Sequence, residues 1–181
     1  MMKVSVIGLG KLGLPLAATI ASKDFFVYGI DINKKIVEDF NQGVTDLVEP
    51  NLVSLLKKYK NNILATTEVK NAILDSDITF IITPTPSQKG GSFSLRYINP
   101  VVKEIAQVLK LKKGYHLVVI VSTVMPQSTD NIKKILEKIS GKKCTKDFGL
   151  CYNPEFIALG SVIYNLLNPD FVLIGESDNK A

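Results

Sequence analysis

Short, unbroken apolar runs recur along the chain, and the stretches between them carry apolar residues three or four positions apart. The runs cover residues 4–7, 26–30, 63–66, 78–82, 117–121, 148–152 and 171–174. Runs of this length without polar alternation predict strands buried on both faces. Helical spacing is found over 12–22, 34–42, 52–59, 68–74, 95–109 and 129–139. In 34–42, Ile36, Val37 and Phe40 share one face, and in 95–109 the face is Ile98, Val101, Val102, Ile105, Val108 and Leu109. Thr67 is placed to cap the fourth helix, and Gly43 and Gly141 to stop the second and the last. Pro100 is tolerated only in a first turn, so its helix starts near Asn99 or breaks there. Strand–helix alternation along the whole chain predicts an α/β fold, a doubly wound (Rossmann-type) parallel sheet with helices on both faces. No repeat, low-complexity segment or shift in composition divides residues 1–181 into more than one domain.

The polar residues that interrupt this pattern sit directly after strands. The first strand runs into Gly8, Leu9, Gly10, Lys11, Leu12 and Gly13, which fits G-x-G-x-x-G. Gly8 permits the turn out of the strand, Gly10 lets backbone approach a pyrophosphate, and Gly13 brings the helix close to the sheet. The helix that follows offers free N–H groups and the positive end of its dipole to phosphate. The second strand ends at Asp31, 18 positions after Gly13, close to the ~20 expected for a carboxylate that grips a ribose hydroxyl. Asp31 would repel a 2′-phosphate, so the expected cofactor is NAD, with Lys34 and Lys35 as cations near it in the sequence. Residues Thr83, Pro84 and Thr85, then Ser122 and Thr123, then Asn153, Pro154 and Glu155, follow later strands in the same way. Ligands of open α/β sheets bind beyond the carboxyl ends of the strands, so these segments can line one crevice. Residues 87–92, polar and glycine-containing, are expected to be mobile.

Composition narrows the picture. Apolar residues make up 46% of the 181, which excludes a disordered chain. No apolar run reaches the ~18 residues of a membrane span, and the first residues enter a strand without a leader pattern. The net charge of +5 is scattered, with no stripe that would suit nucleic acid. Cys144 and Cys151 have neither redox nor zinc spacing, and the expectation is buried free thiols in a reducing cytoplasm. His116, the only histidine, precedes a strand and has no partner in the sequence that would make it a base or a metal ligand. No metal is expected.

At the strand ends the sequence resembles the UDP-glucose/GDP-mannose dehydrogenase family, the nucleotide-sugar 6-dehydrogenases. The matches run in order: the glycine turn continuing through Leu14 and Pro15; Asp31, Ile32, Asn33; Glu49, Pro50, Asn51, Leu52; Thr83, Pro84, Thr85; Ser122, Thr123, Val124, Met125, Pro126; Asn153, Pro154, Glu155, Phe156; and Leu167, Asn168, Pro169, Asp170. The resemblance implies oxidation of the C6 alcohol of a UDP- or GDP-linked sugar to the carboxylate with two NAD. It implies that the glycine turn holds the pyrophosphate and Asp31 a ribose. Thr83, Pro84, Thr85, Ser122 and Thr123 would line the cofactor crevice, with Thr123 near the reacting carbon. Glu155 would be the general base, and Phe156 and Ile157 would present backbone groups to the sugar nucleotide.

The sequence also departs from the family. Leu159 stands where a second glutamate is usual, and Ile36 where a Lys or Arg is frequent, leaving Lys34 or Lys35 as substitutes on the cofactor. Ser94 replaces a common acidic residue. The family's nucleophilic cysteine and its catalytic lysine and asparagine lie beyond Ala181, and neither Cys144 nor Cys151 has their context. The expectation is therefore the N-terminal, NAD-binding part of a longer enzyme, inactive alone, monomeric or weakly associated while the full-length enzyme is a homodimer. Two alternatives stand beside it: an NAD-binding module without catalysis, and a hydroxyacid or 6-phosphogluconate-type dehydrogenase. The stretch from Asn153 to Phe156 has no use in the last of these.

Overall fold

A computed structural model describes residues 2–181. In chain order the elements are β1 (Lys3–Ile7), α1 (Gly13–Ala21), β2 (Phe26–Ile30), α2 (Lys34–Asn41), α3 (Leu52–Lys58), β3 (Ile63–Thr66), α4 (Val69–Asp75), β4 (Ile78–Ile81), α5 (Ile98–Leu111), β5 (His116–Ile120), α6 (Ser128–Ser140), β6 (Phe148–Tyr152), α7 (Val162–Leu167) and β7 (Gly175–Glu176). The sheet order is β3-β2-β1-β4-β5-β6-β7. Successive strands step one way from β1 to β3 and the other way from β4 onward, so the order reverses between β1 and β4. Right-handed crossovers then place the helices of the two halves on opposite faces.

The central strands feed both faces. Val4 and Val6 of β1 pack with Ala17, Ala18 and Ala21 of α1, Phe40 of α2 and Leu52 and Leu56 of α3. Ile7, with Ile81, Val118, Ile120 and Phe148, packs against Ile73 of α4, Ile105 and Leu109 of α5 and Ile132 and Leu136 of α6. Burial on both sides explains why the strands read as continuous apolar runs. Gly29 in β2 leaves room for Leu9: a Cβ there would lie 3.0 Å from a Leu9 methyl, and Leu9 is buried.

Pro100 is the third residue of α5, inside its first turn, so the expected start near Asn99 holds and the predicted start at residue 95 is three residues early. Three other expectations are corrected. Thr67 caps nothing; the hydroxyl of Thr66 accepts the amide of Glu68 (2.9 Å) and α4 begins at Val69. Beyond β6, residues 153–161 are irregular, and α7 starts at Val162. The run 171–174 is not the seventh strand; its four residues are exposed, and pairing begins at Gly175. Finally, the sheet is parallel only as far as β6, because β7 pairs antiparallel through Cys151–Glu176 and Tyr152–Gly175. Residues 87–92 form a small hairpin turn, with the Gln88 amide donating to the Ser92 carbonyl (2.8 Å).

Candidate functional site

The carboxyl ends of β1, β2, β4, β5 and β6 are joined by hydrogen bonds and close contacts into one edge. Gly8 has φ +98°, and a Cβ on it would lie 2.2 Å from the Ile82 carbonyl oxygen. A Cβ on Gly13 would lie 1.8 Å from the Gly8 carbonyl oxygen. Both glycines are therefore dictated by the chain's own backbone. Gly10 differs: apart from its own chain neighbours, no atom lies within 4 Å of the position its Cβ would take, and its φ is not positive. Nothing in the chain requires glycine there. Glycine at such a place leaves the backbone open to close approach by a ligand. Lys11 is exposed and Leu12 half-buried beside it. No side chain caps α1, and its first turn carries no acid; the Leu14 N–H donates to the Gly10 carbonyl (3.1 Å) and Pro15 has none, so an anion at this end would draw on the amides of the turn just ahead of Leu14.

Asp31 is fixed by two amides. Oδ2 accepts from the Leu9 N–H (2.8 Å) and Oδ1 from the Asn33 N–H (2.9 Å). The carboxylate thus ties the end of β2 to the glycine turn while staying half-exposed. Each oxygen keeps a lone pair for a further donor, which suits a diol. Ile32 beside it is almost fully exposed, an apolar surface at this end of the crevice that residue type alone did not signal. The Lys35 ammonium is held by Asp39 (2.5 Å) and Asp46 (3.2 Å), while its amide donates to Asn33 Oδ1.

Across the switch point, Ser122 Oγ accepts from the Thr83 N–H and donates to the Thr83 carbonyl, both at 2.8 Å. This clasp holds the segment after β4 against the segment after β5. Thr83 Oγ1 is buried with no partner among the described residues, a state that a bound hydroxyl or amide would relieve. Pro84 is exposed and Thr85 half-buried next to it, and the side chain of Thr123 is exposed.

Residues 153–161 leave β6 with the Asn153 amide donating to the Ile120 carbonyl (2.9 Å). Glu155 is half-buried, and burial pushes its carboxyl above the usual carboxylate range. Phe156 is exposed, its ring 4.8 Å from that of Phe171, and Ile157 is half-buried. Leu159 is exposed.

His116 lies at the opposite end of the sheet. It is fully buried, with Nε2 2.8 Å from Thr79 Oγ1 and Nδ1 3.0 Å from the Ser76 carbonyl. Both cysteines are free and buried, and burial raises the Cys151 thiol.

A doubly wound sheet with an open glycine turn and a tethered ribose-type carboxylate at its switch point defines a dinucleotide-binding domain. Comparison with known proteins makes this particular. The chain belongs to the UDP-glucose/GDP-mannose dehydrogenase family: the model of that family's NAD binding domain matches residues 2–181. It is 37% identical to GDP-mannose 6-dehydrogenase of Pseudomonas aeruginosa over 99% of its length, and 35% identical to UDP-glucose 6-dehydrogenase AglM of Haloferax volcanii. The crystal structure of a ternary complex of GDP-mannose dehydrogenase from Pseudomonas aeruginosa superposes with a TM-score of 0.96 over 99% of the chain. The chain spans 42% of the length of each of these three proteins. The cofactor is NAD. No helix among the described residues is long and apolar enough to cross a membrane.

Proposed function

We propose that the chain is the cofactor-binding part of a nucleotide-sugar 6-dehydrogenase that oxidises the C6 alcohol of a UDP- or GDP-linked hexose to the uronate. The four electrons removed go to two NAD, and water supplies the second carboxylate oxygen. Bound at the crevice, NAD would supply the hydride acceptor for each oxidation. In this reading the amides after Gly10 hold the pyrophosphate and Asp31 the ribose. The segments from Thr83 to Thr85 and from Ser122 to Thr123 line the crevice between them. Lys34, or Lys35 released from Asp39 and Asp46, neutralises phosphate.

Glu155 takes the proton from water as it attacks the acyl carbon. A carboxyl raised by burial is a better proton acceptor than an exposed one. Phe156 and Ile157, in a segment whose backbone is committed to no helix or strand, offer N–H and C=O groups to the sugar nucleotide. Neither Cys144 nor Cys151 serves as the nucleophile, since both are buried. The thiol that forms the acyl intermediate belongs to a further part of the enzyme.

The observation that carries this reading is the empty space at Gly10, flanked by the tethered Asp31. The test is turnover by the complete protein with GDP-mannose and with UDP-glucose, the substrates named for its relatives. Two NADH per sugar are expected from one of them, and Glu155→Gln should lower kcat by roughly a hundredfold or more. Equal turnover by wild type and Glu155→Gln would remove Glu155 from the mechanism.

A further inference from the structure

Glu49 lies in the loop between α2 and α3, at the head of the Glu49, Pro50, Asn51, Leu52 motif. Its Oε1 accepts the amide of Ile163, 3.0 Å away and 114 residues further along the chain. Ile163 is the second residue of α7. The residue that would normally cap this helix, Ser161, makes no side-chain cap; its hydroxyl is engaged with the Ala158 carbonyl and the Asn165 side chain. The Glu49 carboxylate therefore takes the place of the cap, with a charge of the sign that a helix N-terminus favours.

The consequence concerns residues 153–161. This irregular segment has two anchors. One is the end of β6, where the Asn153 amide meets the Ile120 carbonyl. The other is α7, whose Val162 and Ile163 are buried and which packs on α1, the helix of the glycine turn. Glu49 bonds the second anchor at the point where the segment enters it. We infer that Glu49 is a positioning residue that, by holding the first turn of α7, sets the placement of the segment carrying Glu155, Phe156 and Ile157 against the cofactor crevice. This rests on the reading of that segment as the substrate side of the site. Glu49 is itself half-exposed and borders an open cavity of about 310 Å³ with Pro50, Asn51 and Tyr164. Truncating it admits water instead of leaving a sealed void, so the fold should survive.

The test compares wild type, Glu49→Ala and Glu49→Gln by amide hydrogen exchange and by NMR titration of the Glu155 carboxyl, with NAD titrated into the wild type. In Glu49→Ala, exchange at Ile163 and across 153–161 should quicken by about tenfold or more, as expected for loss of a charge-assisted bond. The Glu155 midpoint should fall toward the value of an exposed carboxylate, while protection in β1 and β5 is kept. A purely structural role would not move the Glu155 titration in a folded protein. Glu49→Gln keeps the acceptor and should restore most of both properties, and it carries the test if the alanine variant loses sheet protection. Unchanged Ile163 exchange and Glu155 titration in Glu49→Ala, or a glutamine variant as loose as the alanine one, would overturn the inference. Failure of the wild type to bind NAD would instead overturn the functional reading and leave the Glu49 link standing.

Discussion

The two ends of the sheet are both polar, and the cluster around His116 differs from the groups at the glycine turn in being satisfied, although the buried Tyr115 hydroxyl at the same end has no partner among the described residues. At the amino end, under β1, β4 and β5, the groups close on one another. Ser5 Oγ bonds Thr79 Oγ1 (2.6 Å), Thr79 bonds His116 Nε2, His116 Nδ1 meets the Ser76 carbonyl, and Ser76 Oγ returns to Ser5 (3.1 Å). The Lys112 ammonium beside them is taken up by the carbonyls of Ile73, Leu74 and Ser76. At the carboxyl end, Gly10 faces open space, Thr83 Oγ1 has no partner, Asp31 uses only part of its capacity, and burial raises Glu155. A closed network rigidifies and specifies a core; an incomplete one is where a ligand is to be expected. The contrast separates His116, a titratable residue in the core, from the groups left open at the carboxyl end.

The glycines offer the largest break in this comparison. Gly13→Ala should destabilise the chain by more than about 3 kcal/mol, because its Cβ meets backbone and no side chain can give way. Chemical unfolding would measure this. His116→Leu should cost about 2–4 kcal/mol by opening the polar ring and leaving its members unpaired, yet NAD affinity should stay at the wild-type value in calorimetric titration.

The same histidine gives the pH dependence. Burial lowers its pKa to about 3, so the folded state keeps it neutral while the unfolded chain takes up a proton below about 6.5. Its contribution is complete above pH 6.5 and is lost progressively as pH falls toward 3, by an amount on the order of a few kcal/mol. Urea midpoints between pH 7 and pH 4 should show this slope, and His116→Leu should flatten it.

Asp31→Ala acts at the other end. It should weaken NAD binding by roughly ten- to a hundredfold, the span of one or two hydrogen bonds to a charged group, with a smaller loss of stability from freeing the Leu9 amide. The smallest effect is the Glu155 titration itself, whose midpoint in 13C NMR should lie above that of an exposed carboxylate, because burial disfavours the charged form.

Much of this was legible from residue order, for physical reasons. Strands buried on both faces cannot alternate, so the runs at 4–7 or 117–121 announce themselves. The glycine turn and Asp31 are local features whose spacing is set by one strand, one helix and one more strand. What escaped detection depends on distant contacts or on exposure. The helix α7 has six residues and takes its cap from Glu49, far away in sequence. The run Phe171, Val172, Leu173, Ile174 has the composition of a buried strand but is exposed. The polar ring around His116 joins three strands and the turn after α4, and no single stretch contains it. Gly29 reads as an ordinary weak point in a strand until Leu9 is seen resting on it.

The most direct test is calorimetric titration of NAD into the wild type and Gly10→Ala, with thermal unfolding of both. The open space at Gly10 predicts a variant of unchanged Tm whose NAD affinity falls by tenfold or more, since an added methyl occupies only the room that the pyrophosphate needs. Unchanged affinity in a variant that folds normally would mean that the cofactor does not approach this turn, and would contradict the assignment of the crevice.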